Sequence, residues 1–166
     1  MAGSLGSGGE WMVFRVDADS LEDYFAFDPK RTADLRKLDG LIVHAAPSLK
    51  CYFHKGTPAG EPGMRFKMIG YGQSYYRATT GEKVEWPVVG VALQKNYISI
   101  YISVSQAGVP ATDAYVGRVG ALRMGRNNFS FEAFDDLNGE ATSSLIGDMA
   151  AIFAADPDAV SKAWAR

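Results

Sequence analysis

Hydroxyl side chains alternate with branched apolar side chains along residues 96–104, and this period of two predicts a strand with two unlike faces. The hydroxyl-bearing face consists of Tyr97, Ser99, Tyr101 and Ser103. Phenol and alcohol groups both donate and accept hydrogen bonds, and phenol rings also stack on flat molecules. This face could therefore hold a small ligand.

The strand at residues 84–94 can pair with this one through a tight turn at 95–96. The predicted pairs are Leu93–Ile98, Val91–Ile100 and Val89–Ile102 on the apolar face, and Ala92–Ser99 and Gly90–Tyr101 on the other. Small residues beside phenols predict a shallow depression with open space next to Gly90. The alternative is that a helix packs over the same small side chains, because sheets usually bury a face under helices.

Positive charge and further rings complete the predicted ligand site. Guanidinium and ammonium groups would pair with an anionic ligand, and additional tyrosines would supply stacking and hydroxyls. The predicted ligand-binding residues are Tyr71, Tyr76, Arg77, Gly90, Lys95, Tyr97, Tyr101 and Arg126. Arginine alternates with glycine around Arg126, and turn glycines beside exposed arginines are the alternative, and favoured, interpretation of that part.

A carboxylate-rich segment before residue 30 offers a different chemistry. The acidic residues that could act together are Asp17, Asp19, Glu22 and Asp23. Carboxylates are hard oxygen ligands that suit magnesium, calcium or iron, so iron binding is an alternative function. A solvated acidic surface would carry the same residues.

Nitrogen and sulfur ligands are too few and too far apart for a closed zinc site. The chain has one cysteine, Cys51, and two histidines, His44 and His54, and we interpret all three as structural. The sequence also lacks the phosphate-loop, dinucleotide-binding, serine-hydrolase, metalloprotease and dithiol motifs. We therefore predict no cofactor, with iron as the alternative, and we favour binding over catalysis.

Length and composition limit the class of protein. With 166 residues, of which 47% are hydrophobic and 22% charged, we predict a single domain over residues 10–166 after a flexible tail at 1–9. A net charge of -2 argues against nucleic-acid binding, and no apolar run is long enough for a membrane span. The lone cysteine predicts a reducing compartment, the cytoplasm.

Helices on either side of a β-rich middle must position these groups. Asp28 and Pro29 predict the start of a helix that Pro47 ends. Strands are predicted near residues 48–55, 65–69, 73–79, 84–94, 96–104 and 128–133, a short helix at 113–120 and a longer one near 140–154. This order predicts an α+β fold, an antiparallel β-sheet with helices packed on it.

Several short motifs resemble the YdhG-like family of bacterial domains of unknown function. They are KMIGYG at 67–72, YYR at 75–77, WPVVG at 86–90, QKNYISIY at 94–101, YVGRVGALRMGR at 115–126 and FSFEAFDD at 129–136. The likeness covers roughly residues 30–154. It implies a frataxin-like fold, and it implies an iron-chaperone role as an alternative because some members carry that label.

Two departures from the family pattern change what can be transferred. Asn128 stands where many members have a cysteine, and Glu132 stands where a lysine is common. The leading expectation is therefore a non-catalytic, YdhG-like domain that binds a small molecule or anion. A further alternative is a protein-interaction adapter or homodimer that buries Tyr97 and Tyr101.

Overall fold

The computed structural model describes residues 14–61, 65–106, 109–120, 123–125 and 127–158, so the predicted tail at 1–9 and Arg126 lie outside the described residues. The helices are α1 (Leu21–Ala26), α2 (Thr32–Ala45) and α3 (Gly139–Ala155). The strands are β1 (Cys51–His54), β2 (Met68–Arg77), β3 (Lys83–Leu93), β4 (Ile98–Ile102), β5 (Ser105–Gln106), β6 (Val109–Pro110), β7 (Arg123–Met124) and β8 (Asn128–Phe131). Short 3-10 turns lie at Ala111–Tyr115 and Phe134–Asp136.

Six of these strands form one antiparallel sheet in the order β1–β2–β3–β4–β8–β7, and β5 pairs separately with β6. The buried side chains of the helices pack against this sheet. The predicted α+β class is therefore confirmed. Within the described ranges, no helix has the length and apolar character needed to cross a membrane.

The predicted register of the β3–β4 hairpin is confirmed. The observed pairs are Val89–Ile102, Gly90–Tyr101, Val91–Ile100, Ala92–Ser99 and Leu93–Ile98. The branched side chains all lie on one face, so a shift by one residue would bury the small and polar set instead. This mismatch explains why the sequence alone specifies the register.

The first long helix begins later than predicted. The Asp28 carboxylate accepts hydrogen bonds from the backbone N–H of Lys30 and, at 2.8 Å, from Arg31 Nε. These contacts close a turn before the helix, which starts at Thr32. Asp28 is therefore not the residue that caps α2, because its side chain is used within the turn that precedes it.

Three other predicted elements differ in extent. The strands expected at 65–69 and 73–79 are one strand, β2, in which Gly72 adopts φ +75°. Glycine tolerates this left-handed conformation, so the strand continues through a residue that resembles a turn signal in the sequence. The helix expected at 113–120 is only the 3-10 turn Ala111–Tyr115.

The core lies between the helices and one face of the sheet, which we call the helix face. Sheet residues that belong to it are Ile69, Tyr71, Val88, Val89, Val91, Leu93, Ile98, Ile100, Ile102, Phe129 and Phe131. Helix residues packed on them include Leu35, Leu38, Ile42, Leu145, Ile146 and Met149. The branched face of the predicted hairpin is thus the face that the helices cover.

Tyr24 on α1 links two strands through its buried hydroxyl. The side chain is fully buried, accepts a hydrogen bond from the Leu93 N–H at 2.9 Å and donates one to the Lys67 carbonyl at 3.3 Å. Replacing Tyr24 by phenylalanine leaves both backbone groups without this partner, so we expect a loss of about 1–3 kcal/mol in the free energy of unfolding. Urea denaturation measures it.

Tyr75→Phe is the matched control for this prediction. Tyr75 is half exposed on β2, and loss of a hydroxyl at such a site changes stability by about 0.5 kcal/mol or less. Equal effects of the two substitutions would show that the Tyr24 hydroxyl does not hold the strand ends.

Candidate functional site

The side of the sheet opposite the helix face, here called the second face, carries rings and small residues. One row of paired residues crosses five strands and consists of Tyr52, Gly70, Gly90, Tyr101 and Asn128. A buried cluster of Met68, Trp86 and Ala92 lies here, with Phe66, Tyr76 and Tyr101 packed against it. In the part of the chain that the structure describes, no helix residue belongs to this cluster. Among the described residues, this cluster on the second face is formed by side chains of the strands and of the connection before β2.

The open space expected beside Gly90 is filled. A Cβ atom on Gly90 would lie 2.7 Å from the Met68 sulfur and 3.3 Å from the Pro87 ring. Met68 reaches this position from β2, whose register could not be read from the sequence. Gly90 therefore leaves room for the thioether of Met68 on the neighbouring strand. The prediction of a depression beside Gly90 is wrong.

Gly70 has a comparable role on β2. A Cβ atom there would lie 2.6 Å from Tyr52 Cε1, so the phenol ring of Tyr52 lies directly over Gly70. The missing side chain lets Tyr52, on the edge strand β1, extend across β2. Its hydroxyl consequently reaches Glu85 on β3 and donates a hydrogen bond to Oε2.

Tyr52, Glu85 and His54 form a hydrogen-bonded group that we call the relay. His54 Nδ1 lies 3.0 Å from Glu85 Oε1, and the Tyr52 hydroxyl donates to the other carboxylate oxygen. Burial alone would raise the pKa of the Glu85 carboxyl, but the hydrogen bonds from His54 and Tyr52 outweigh it and hold that pKa below its ordinary value. Burial, followed by the hydrogen bond to Glu85, raises the pKa of Tyr52.

The other ring nitrogen of His54, Nε2, is a buried polar atom of the second face. His54 is only 2% exposed, and its Nε2 has no hydrogen-bond partner among the described residues. Buried polar atoms are normally paired, because an unpaired one costs about 1–3 kcal/mol. Nε2 of His54 is therefore a buried position at which a partner from outside the described residues would satisfy a polar atom.

Aromatic rings surround this histidine and continue towards β4. The Trp86 ring centroid lies 5.4 Å from that of His54, 6.1 Å from Phe66 and 6.3 Å from Tyr76, all in edge-to-face contact. The Trp86 indole N–H donates to the Ser103 hydroxyl at 2.6 Å. Phe66, Tyr76 and Tyr101 are only partly buried, so they form the outer boundary of this group.

A more polar zone borders the rings on β4, β8 and β7. The hydroxyls of Ser99 and Ser130 are hydrogen-bonded at 2.9 Å. The Arg123 guanidinium lies 4.7 Å from the Tyr97 ring centroid, a cation–π contact. This zone contributes hydroxyl groups and one positive charge to the edge of the second face.

Some predicted site residues do lie together on the second face. Gly90 and Tyr101 are paired there, Tyr76 packs on Trp86, and the Phe66–Tyr101 ring centroids are 5.5 Å apart. Burial raises the pKa of Tyr101, which therefore stays a neutral phenol. Tyr97 directly precedes β4, and its ring contacts the Arg123 guanidinium.

Other predicted residues lie elsewhere. The placement of Tyr71 with the ligand-binding tyrosines is wrong: Tyr71 belongs to the helix-face core, is 1% exposed and donates a hydrogen bond to Asp39 at 2.6 Å. Its pairing with Val89 sets this orientation. Arg77 is exposed and bonded to the Gly81 carbonyl at 2.8 Å, and Lys95 is exposed in the β3–β4 turn.

The relay is the part of the site that sequence reasoning missed. Tyr52 and His54 are two residues apart on β1, so their common face could have been read from strand periodicity. Their partner Glu85 lies about thirty positions further along, 31 from His54. The pairing of β1, β2 and β3 brings Tyr52, His54 and Glu85 together. Gly70 in the middle strand, β2, leaves the space across which the Tyr52 ring extends.

The acidic segment does not converge on a common point. Asp19 and Glu22 are strongly exposed, and they lie 3.5 Å from Lys67 and 3.9 Å from Arg36, respectively. Across the ranges that the structure describes, no three metal-ligating side chains are close enough to hold an ion. This geometry gives the iron-binding alternative no support.

Cys51 is also unsuited to chemistry. It lies on the helix-face side of β1 near Asp39 and Tyr71, and burial followed by the Asp39 charge raises the pKa of its thiol to about 11. The thiolate is the reactive form, so a raised pKa makes the thiol unreactive. The interpretation of Cys51 as a structural residue agrees with these surroundings.

Comparison with known proteins gives no match to a family model, a curated protein or a solved structure. The resemblance to the YdhG-like family rests on the motifs alone and stays a prediction. The function is therefore inferred from the geometry of the second face.

Proposed function

We propose that this chain is a binding protein for a small, flat, largely apolar molecule, held on the second face with a hydrogen bond to His54. The observation that carries this proposal is the Nε2 of His54, a side chain that is 2% exposed, which has no hydrogen-bond partner among the described residues. Ligand sites combine apolar and aromatic walls with a small number of placed polar groups. The Trp86 ring contacts the His54 ring, and the partly exposed rings of Phe66 and Tyr101 extend this aromatic surface outwards.

The electrostatics of the site favour a neutral or cationic ligand over an anion. The low pKa of Glu85 keeps a carboxylate beside His54. Of the basic residues predicted to bind an anion, Arg77 and Lys95 are exposed near the ends of β2 and β3 instead, and Arg126 lies outside the described residues. A flat ligand without negative charge therefore takes the place of the anion that the sequence predicted.

Titration with indole, followed by two-dimensional NMR of the isotope-labelled chain, tests this proposal. Indole is flat, neutral and similar in size to the rings already packed there. We expect saturable shifts of the Gly90, Ala92 and Ser99 amides, and smaller ones at Leu35 and Leu38 under the helix face. His54→Phe keeps a ring but removes both nitrogens, so the affinity should fall at least about tenfold.

The matched control is His44→Gln, since the other histidine is exposed on α2. This variant should bind indole as the unaltered chain does. Thermal unfolding of each variant establishes that it is folded before binding is compared. Shifts that do not saturate, or an undiminished affinity in His54→Phe, would overturn the proposed function.

A further inference from the structure

The relay determines which nitrogen of His54 carries the proton. A neutral imidazole has one N–H donor and one lone-pair acceptor, while an ionised carboxylate only accepts. Nδ1 lies 3.0 Å from Glu85 Oε1, so the proton of a neutral His54 resides on Nδ1. Nε2 then presents a lone pair and acts as a hydrogen-bond acceptor.

The acceptor is held in place by the two other members of the relay. The Tyr52 hydroxyl donates to Glu85 Oε2, which leaves Oε1 directed to the histidine. Gly70 keeps the Tyr52 ring in position, because any side chain there would meet the ring. Such support behind a histidine fixes both its tautomer and its ring orientation.

We propose that the second-face site selects flat ligands that present a neutral N–H or O–H donor, and discriminates against matched ligands that lack one. This inference rests on the proposed function, because it names the ligand class of the same site. A ligand with a donor satisfies the buried Nε2, whereas a methylated analogue leaves it unpaired. A carboxylate ligand would meet a lone pair and the Glu85 charge, so it is excluded as well.

The test compares indole with 1-methylindole at pH 8, where a neutral histidine is the ordinary form. The two molecules share their ring system and differ at the single donor. We expect indole to bind at least about tenfold more tightly by NMR titration, since a site built around a hydrogen bond rejects an analogue that cannot make it. Indole-3-carboxylate should bind more weakly than indole.

Two relay variants test where this preference comes from. In Glu85→Gln the Tyr52 hydroxyl can donate to the amide oxygen, so the amide N–H₂ faces His54 Nδ1 and the ring proton moves to Nε2. The preference for indole should then disappear. Tyr52→Phe frees the carboxylate to turn and should reduce the preference at least about threefold, while His44→Gln should keep it.

The outcomes separate this inference from the proposed function. Equal affinity for indole and 1-methylindole overturns donor selection and leaves binding at the second face intact. Binding of neither molecule, as expected where a water satisfies Nε2, overturns both. Retention of the full preference in folded Glu85→Gln and Tyr52→Phe overturns the relay as its origin.

Discussion

Replacing Trp86 by alanine is expected to lower the free energy of unfolding by about 3–5 kcal/mol. The indole is 1% exposed, contacts His54, Phe66 and Tyr76, and donates to Ser103. The substitution therefore removes the centre of the second-face cluster and leaves a cavity. Urea denaturation with the slope compared between variants measures the loss.

Trp86→Phe separates the two contributions of this side chain. Phenylalanine keeps most of the ring contacts but cannot donate to Ser103, so its cost should lie clearly below that of alanine. A loss of less than about 1 kcal/mol in Trp86→Ala would contradict a packed aromatic cluster on this face.

Gly56→Ala should strongly destabilise the connection between β1 and β2. Gly56 has φ +80°, and a Cβ there would overlap the Arg65 carbonyl oxygen and lie 3.0 Å from that of Phe66. Backbone atoms cannot move aside as a side-chain tip can. We expect about 1 kcal/mol for the left-handed conformation and a further ~1–3 kcal/mol for the forced separation, measured by chemical denaturation.

Gly60→Ala is the matched control for Gly56→Ala. Gly60 has φ +89° in the same connection, and a Cβ there would meet nothing within 4 Å. In both variants the positive φ lowers the free energy of unfolding. Only Gly56→Ala should also shift Phe66 away from Trp86 and weaken indole binding. Equal losses in stability and binding would show that this close approach does not position Phe66.

The β3–β4 hairpin was predictable because its pattern admits one register. Branched residues from Val89 to Leu93 must face those from Ile98 to Ile102, and the opposite face then follows. The same pattern could not show that rings would cover that opposite face. Covering side chains such as Met68 and Phe66 come from β2 and the connection before it.

The β1–β2–β3 part of the sheet was not predictable in the same way. Gly70 and Gly72 resemble turn residues in the sequence, yet both lie inside β2. Gly72 is needed for its positive φ, and Gly70 for the space that Tyr52 occupies. Without this strand's register the face of Tyr71 stayed undetermined, and so did the partner of His54.

The donor-selective site is tested most directly by the nitrogen NMR signals of the His54 ring at pH 8. We expect a proton on Nδ1 and none on Nε2 in the free chain. Added indole should shift the Nε2 signal saturably while the His44 signals stay unchanged. A proton on Nε2 in the free chain, or an Nε2 signal that saturating indole leaves unmoved, would contradict a binding site built on this nitrogen.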